Sequence, residues 1–230
     1  MSVEDVRYNN LMHALERPMY GHLVDLFENH ALDMADEIVV RHNALDDLLV
    51  VGMGGEFEEF CAHVCASLEH HSFNVSVNCF WPYKSFNPNL TGLGPELYDE
   101  NGRLLGETLI HLEASYIEDP NSSFDLGIIL TSVLADAEPV KSILRRTKEV
   151  ADCKRLELRC LIATQAAVDE LQDLVVVEPM VVAPKVPRDY WQIEELLDVR
   201  PAKMIPRQSR WLVGRRYPEL RLEKTYGSRP

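Results

Sequence analysis

The feature that most restricts the folding of this chain is a run of short aliphatic segments alternating with helical patterns between Asp47 and Val177. Asp47-Leu48-Leu49-Val50-Val51-Gly52 is almost continuously apolar and runs into a glycine cluster, Gly52, Gly54 and Gly55. From Glu56 to His70, Phe57, Phe60, Cys61, Val64, Cys65 and Leu68 recur at three- and four-residue steps, which draws one apolar stripe along a helix. A second strand follows at Phe73 to Phe80, where Phe73, Val75 and Val77 alternate. Further along come an apolar strand at Asp125 to Leu130, a loop at Thr131 to Pro139 and a helix at Val140 to Val150. Leu156 to Ala163 reads as a strand, Gln165 to Leu171 as a short helix and Leu174 to Val177 as another strand. Short Val, Ile and Leu runs separated by helices predict an α/β fold with a central, mainly parallel sheet buried on both faces.

Other segments decorate that core. Trp81 to Gly94 reads as irregular because Pro82, Pro88, Gly92 and Gly94 interrupt it. Asp99-Glu100-Asn101-Gly102 reads as the turn of a hairpin between Leu97-Tyr98 and Arg103 to Glu113. Ahead of the core, two helical pieces, Val6 to Glu16 and Tyr20 to Val40, are separated by Pro18, contain the well-spaced Leu23, Leu26, Phe27 and Leu32, and are expected to cover one flank of the core. The expected organisation is one α/β domain over residues 1–182, with a helical cover at 1–46, and a C-terminal extension at 183–230. That extension has Pro184, Pro187, Pro201 and Pro206 and one helical pattern at Tyr190 to Leu197.

Charge divides the chain in the same place. The net charge is -14. Residues 1–182 hold 12 basic and 31 acidic side chains, whereas residues 183–230 hold 11 basic and 6 acidic ones. Arg200, Lys203, Arg207, Arg210, Arg215 and Arg216 follow one another with no intervening acid. An acidic body disfavours nucleic acid except through this tail, because phosphate binding is driven by counterion release to Lys and Arg. The tail has three candidate seats: its own body, a partner subunit in a homo-oligomer, and a phosphate-bearing ligand. No stretch has the roughly 20 apolar residues of a membrane helix. The acidic start MSVEDVRYNN does not read as a signal peptide, and five cysteines without short paired spacing read as reduced thiols, so a cytoplasmic location is expected.

Several residue groups carry chemistry, each beside a plainer role. Gly52, Gly54 and Gly55 can offer backbone N–H groups to an anion at a helix start, or simply form a tight turn with Glu56, Glu58 and Glu59 capping the helix. The cluster has neither the dinucleotide fingerprint nor the P-loop ending. At the carboxyl end of the strand before them, Thr131, Ser132 and Ala135 sit where open α/β sheets place ligands. Asp136 and Glu138 can hold a divalent cation such as Mg2+ through hard oxygen ligands, or cap the helix that Pro139 opens. Cys61, His63, Cys65, His70 and His71 suggest a metal, yet Cys61 and Cys65 lie on the apolar stripe and read better as buried thiols. His111 and Glu113 share a strand face. Lys84, with Trp81, Tyr83 and Phe86, can stack on and neutralise a ligand.

This order of elements resembles the type I phosphoribosyltransferase fold over roughly Asp47 to Val182. Asp47 to Gly55 is similar to the family's first strand and pyrophosphate loop, Leu97 to Glu113 to its mobile hairpin, and Asp125 to Pro139 with the Val140 to Val150 helix to its signature strand and phosphate loop. Leu156 to Ala163 with Thr164-Gln165-Ala166-Ala167-Val168 resembles the segment that follows in uracil-type members. The chain departs at the site itself. Thr131 stands where uracil-type members have an acid, and Asp136-Ala137-Glu138-Pro139 replaces a Thr-Gly-Gly-Thr-like phosphate cradle. The resemblance implies a nucleotide or phosphorylated-sugar ligand, Mg2+, and phosphoribosyl transfer with Asp136, Lys84 and Arg103 in catalytic roles. The altered loop implies the competing class, a non-catalytic structural or interaction protein using the fold as a scaffold.

Overall fold

The computed structural model describes residues 3–42, 47–87, 96–98, 104–197 and 211–212. Two N-terminal helices, α1 (Val3–Glu16) and α2 (Tyr20–Arg41), lead to strand β1 (Asp47–Met53). After the glycine turn, a π-helical turn at Phe57–Cys61 continues into α3 (Ala62–His70). The chain then forms β2 (Asn74–Asn87), β3 (Glu96–Tyr98), β4 (Leu104–Ile117) and the two-residue β5 (Ser123–Phe124). β6 (Leu126–Leu134), α4 (Glu138–Val150), the short β7 (Asp152–Cys153), β8 (Leu156–Thr164), α5 (Gln165–Leu171), β9 (Val176–Ala183) and α6 (Tyr190–Leu197) complete it.

Seven strands form one sheet in the order β3-β4-β2-β1-β6-β8-β9. β2, β1, β6, β8 and β9 are mutually parallel, and β4 and β3 join antiparallel. Strand alternation divides the core. Leu48 and Val50 pack with Leu23, Phe27, Phe60, Val64, Ile193 and Leu197 on the face of α1, α2, α3 and α6. Leu49 and Val51 pack with Val140, Ile143, Leu144, Ala167 and Leu171 of α4 and α5 on the other. This is the expected central sheet between helical layers, and the inner strands are mostly apolar, with β6 buried along its whole length, because neither face meets water.

Local differences from the sequence reading have physical causes. β2 does not stop at Phe80 but runs through Pro82 to Asn87, paired with β4 and shifted in register between Trp81 and Pro82. Beyond the last β1 pair, Met53 with Phe80, no β1 residue faces β2, so a proline without an N–H is tolerated there. β6 extends to Leu134, so Thr131 and Ser132 are strand residues rather than loop. β9 likewise runs from Val176 to Ala183 rather than Leu174 to Val177. The cover helices bury Leu23 and Phe27 and leave Leu32 46% exposed.

The C-terminal segment has a described foothold on the body. Trp211 lies 6.0 Å, ring to ring, from Phe57, its backbone N–H donates to Glu58 Oε2 at 3.3 Å, and Leu212 is buried. The Arg200, Lys203, Arg207, Arg210, Arg215 and Arg216 stretch lies outside the described residues, as do Arg103 and the turn before it. Among the described residues no helix is long and apolar enough to cross a membrane.

Candidate functional site at the carboxyl ends of β1 and β6

β1 and β6 are adjacent and parallel, with Gly52 opposite Leu130, so the glycine turn and the Thr131–Ser132 pair come together at one rim of the sheet. The residue that joins them is Glu56. It is fully buried, and Ser132 presents its backbone N–H at 2.9 Å to Oε1 and its hydroxyl to Oε2. Burial pushes the Glu56 carboxyl up to about 7, although the Ser132 and Thr131 hydrogen bonds oppose the shift. Glu56 makes no side-chain bond to the helix N-terminus it precedes, so the expected capping role is corrected: its carboxylate crosses to β6 instead. Glu59 is also buried, within 3.5 Å of the Tyr20 hydroxyl.

The three glycines differ in what they face. A Cβ at Gly52 would meet the Phe57 ring and lie 2.9 Å from Cys61 Sγ, so this position serves close packing of the following helix on β1. At Gly54 a Cβ would overlap the Trp81 indole, and the Gly54 N–H donates to the Phe80 carbonyl at 2.8 Å. At Gly55 the space is taken by Glu194 of α6, whose Oε1 lies 2.7 Å from where a Cβ would stand, while the Gly55 N–H points at the Tyr190 hydroxyl at 3.4 Å. Burial, reinforced by Glu194 and Glu56, raises the Tyr190 phenol well above its ordinary range and keeps it protonated. Lys84 projects from β2 with its ammonium 5.9 Å from the centre of the Trp191 ring. One turn of α6 therefore covers Gly55, the last residue of the glycine cluster.

On the other side of the rim, Thr131 and Ser132 are buried, and the Thr131 hydroxyl donates to the Val133 carbonyl at 3.3 Å. The Ala135 carbonyl accepts from Thr164, which also caps α5 through the Ala167 N–H. Asp136 accepts the Glu138 N–H at 3.0 Å at the start of α4, and Glu138 pairs with Lys141 at 2.8 Å. Lys141 bonds Glu170 as well. Both carboxylates are thus engaged in ending one element and starting the next. Among the described residues no group of three His, Cys, Asp or Glu side chains is placed to hold a metal ion. None of the five cysteines forms a disulfide, and four are buried. His111 is exposed on β4.

Sequence reasoning found the rim but missed Glu56, Tyr190 and Glu194 as its contents. Glu56 precedes an apolar stripe by one residue, a position at which an acid ordinarily faces water. α6 was visible as a helix, but no local pattern tells which part of a sheet a helix covers.

No family model and no curated protein matches the chain. Among solved structures it is similar to the AQ2163 protein from Aquifex aeolicus, with a TM-score of 0.53 and 12% identity over 79% of this chain and 85% of that one. It is also similar to TT1426 from Thermus thermophilus, with a TM-score of 0.48 and 12% identity over 74% of this chain and 95% of that one. For adenine phosphoribosyltransferase from Thermoanaerobacter pseudethanolicus the TM-score is 0.39 and the identity 11%, over 68% of this chain and 80% of that one. The first likeness concerns the fold alone. With the order of elements, from the first strand and glycine turn through the β3–β4 hairpin to β6, α4 and β8, the chain has a phosphoribosyltransferase-like fold in divergent form.

Proposed function

We propose that this divergent phosphoribosyltransferase-like chain binds a nucleotide or phosphorylated sugar at the carboxyl ends of β1 and β6. The observation that carries the reading is the placement of Glu56, whose buried carboxyl with its raised pKa links the glycine turn to Ser132 at the rim where open sheets hold ligands. Gly55, Thr131, Ser132 and Ala135 would line the ligand's phosphate side. Asp136 would contact its sugar. A Mg2+ ion would enter with the ligand's own phosphate oxygens, since the described residues supply no ready-made cage. A retained transfer step would draw on Lys84 and Arg103 to screen charge growing on the leaving group.

Calorimetric titration of phosphoribosyl pyrophosphate and mononucleotides, with and without magnesium, tests this. Saturable one-to-one heat that disappears in Asp136→Ala is expected. Loss of the single Asp136 bond to the Glu138 N–H costs about 1 kcal/mol, so the variant stays folded. No binding by any of these compounds rejects the reading.

A second reading is favoured by the internal bonds of the same groups: Gly54 is bonded to Phe80, Ser132 to Glu56 and Glu138 to Lys141. It makes the chain a cytoplasmic, non-catalytic scaffold that self-associates through residues 183–230. Light scattering that shows a multimer, together with silent titrations, supports this second reading.

A further inference from the structure

α6 is a self-contained helix laid across the rim. Asp189 and Gln192 cap it reciprocally: the Asp189 N–H donates to Gln192 Oε1 at 3.1 Å and the Gln192 N–H to Asp189 Oδ1 at 2.9 Å. Its start is pinned by Arg188, whose Nε donates to the Leu15 carbonyl at 2.9 Å. Ile193 and Leu197 are fully buried, which fixes the helix so that its next face meets the glycine turn. On that face stand Tyr190, which accepts the Gly55 N–H, and Glu194, whose carboxylate fills the space over Gly55. Gly55 is the one residue of the cluster whose Cβ side opens onto another element's carboxylate; Gly52 and Gly54 are covered by Phe57 with Cys61 and by Trp81.

A glycine at a strand-to-helix turn lets an anion approach the backbone closely. In this chain the anion that makes the approach belongs to the protein. We propose that Glu194 is an internal competitor of the anionic ligand: α6 holds its carboxylate and the Tyr190 hydroxyl where a phosphate or pyrophosphate group would contact Gly55, and binding requires their withdrawal. The inference rests on the ligand-binding reading above and adds the control of that site. A ligand that must displace Glu194 sees only the fraction of molecules in which the turn is open, so its apparent affinity is lowered by that fraction. Like-charge repulsion between Glu194 and the ligand lowers it further.

The test uses the full chain and four probes: inorganic pyrophosphate, phosphoribosyl pyrophosphate, a mononucleotide, and uncharged ribose as a control. Glu194→Ala removes the carboxylate and its bulk. Tyr190→Phe keeps the volume of the buried ring and releases the Gly55 N–H, and serves should the first variant fail to fold. Either variant is expected to bind the anionic probes at least tenfold more tightly than the wild type, with no gain for ribose. Binding by a variant alone, with a silent wild type, also supports the inference. Wild-type binding that neither variant strengthens overturns it and leaves the ligand-binding reading standing. Silence of the wild type and both folded variants toward every anionic probe overturns the inference together with that reading.

Discussion

Glu56 is the residue on which the rim turns, and its titration has a definite sign. In the unfolded chain its carboxyl has the ordinary value of 4.5, and in the folded chain burial raises it to about 7. Between those values the folded chain holds a proton that the unfolded chain has released, so this group makes stability fall as pH rises through the interval. The fall amounts to about 3 kcal/mol when fully developed. Glu56→Gln keeps the shape and the Ser132 contacts without the charge. Urea unfolding at about pH 4.5 and at about pH 8 should therefore show a pH-dependent loss in the wild type that shrinks in the variant. Equal losses in both would mean that Glu56 titrates normally. A second buried charge makes a separate prediction. Arg159 is 2% exposed and its Nε and Nη2 reach Glu157 Oε2 at 3.2 and 2.8 Å, with His42 Nε2 3.5 Å from the other oxygen. Burial, with Arg159 nearby, lowers the His42 pKa even though Glu157 pulls it upward. Glu157→Ala would strand the guanidinium, and a loss of about 3 kcal/mol is expected in denaturant unfolding. A change below about 1 kcal/mol would show that water reaches the guanidinium.

At the scale of elements, the apolar pattern located β1, β6, β8, α5 and α6 to within a residue or two at most ends, because buried parallel strands and short helices declare themselves by composition. The carboxyl end of β6 was less legible. Thr131 and Ser132 look like the start of a loop by residue type, but a polar pair can stay in a central strand when a carboxylate such as Glu56 satisfies it. That partner lies 76 residues away in sequence, and no local pattern reports it. The run of β2 through Pro82 was hidden for the opposite reason: local chemistry forbids a central strand there, and only the topology makes the position an edge. The glycine turn shows how tightly these elements meet. Gly54→Ala would drive a Cβ into the Trp81 indole, and an overpacking loss of about 2 kcal/mol is expected. Thermal unfolding would reveal it; an unchanged midpoint would mean that Trp81 can move off the turn.

For the whole molecule, the sheet order and the paired helical layers match a phosphoribosyltransferase-like order of elements, while the residues at the rim bond and pack against one another. Asp136 bonds the Glu138 N–H, Glu138 pairs with Lys141, Trp81 covers Gly54, and Glu194 stands over Gly55. A fold is fixed by many apolar contacts and survives such changes, whereas a site depends on a few polar groups with exact partners. That is why element order revealed the fold and why the altered loop at Asp136 to Pro139 left two functional classes open. The most direct test of the account is a crystal structure of Glu194→Ala grown with pyrophosphate. The account predicts pyrophosphate density between the Gly55 N–H and the Thr131–Ser132 end of β6, with the rest of the sheet unchanged. An empty rim in crystals saturated with the anion, or pyrophosphate bound only elsewhere on the surface, would contradict it.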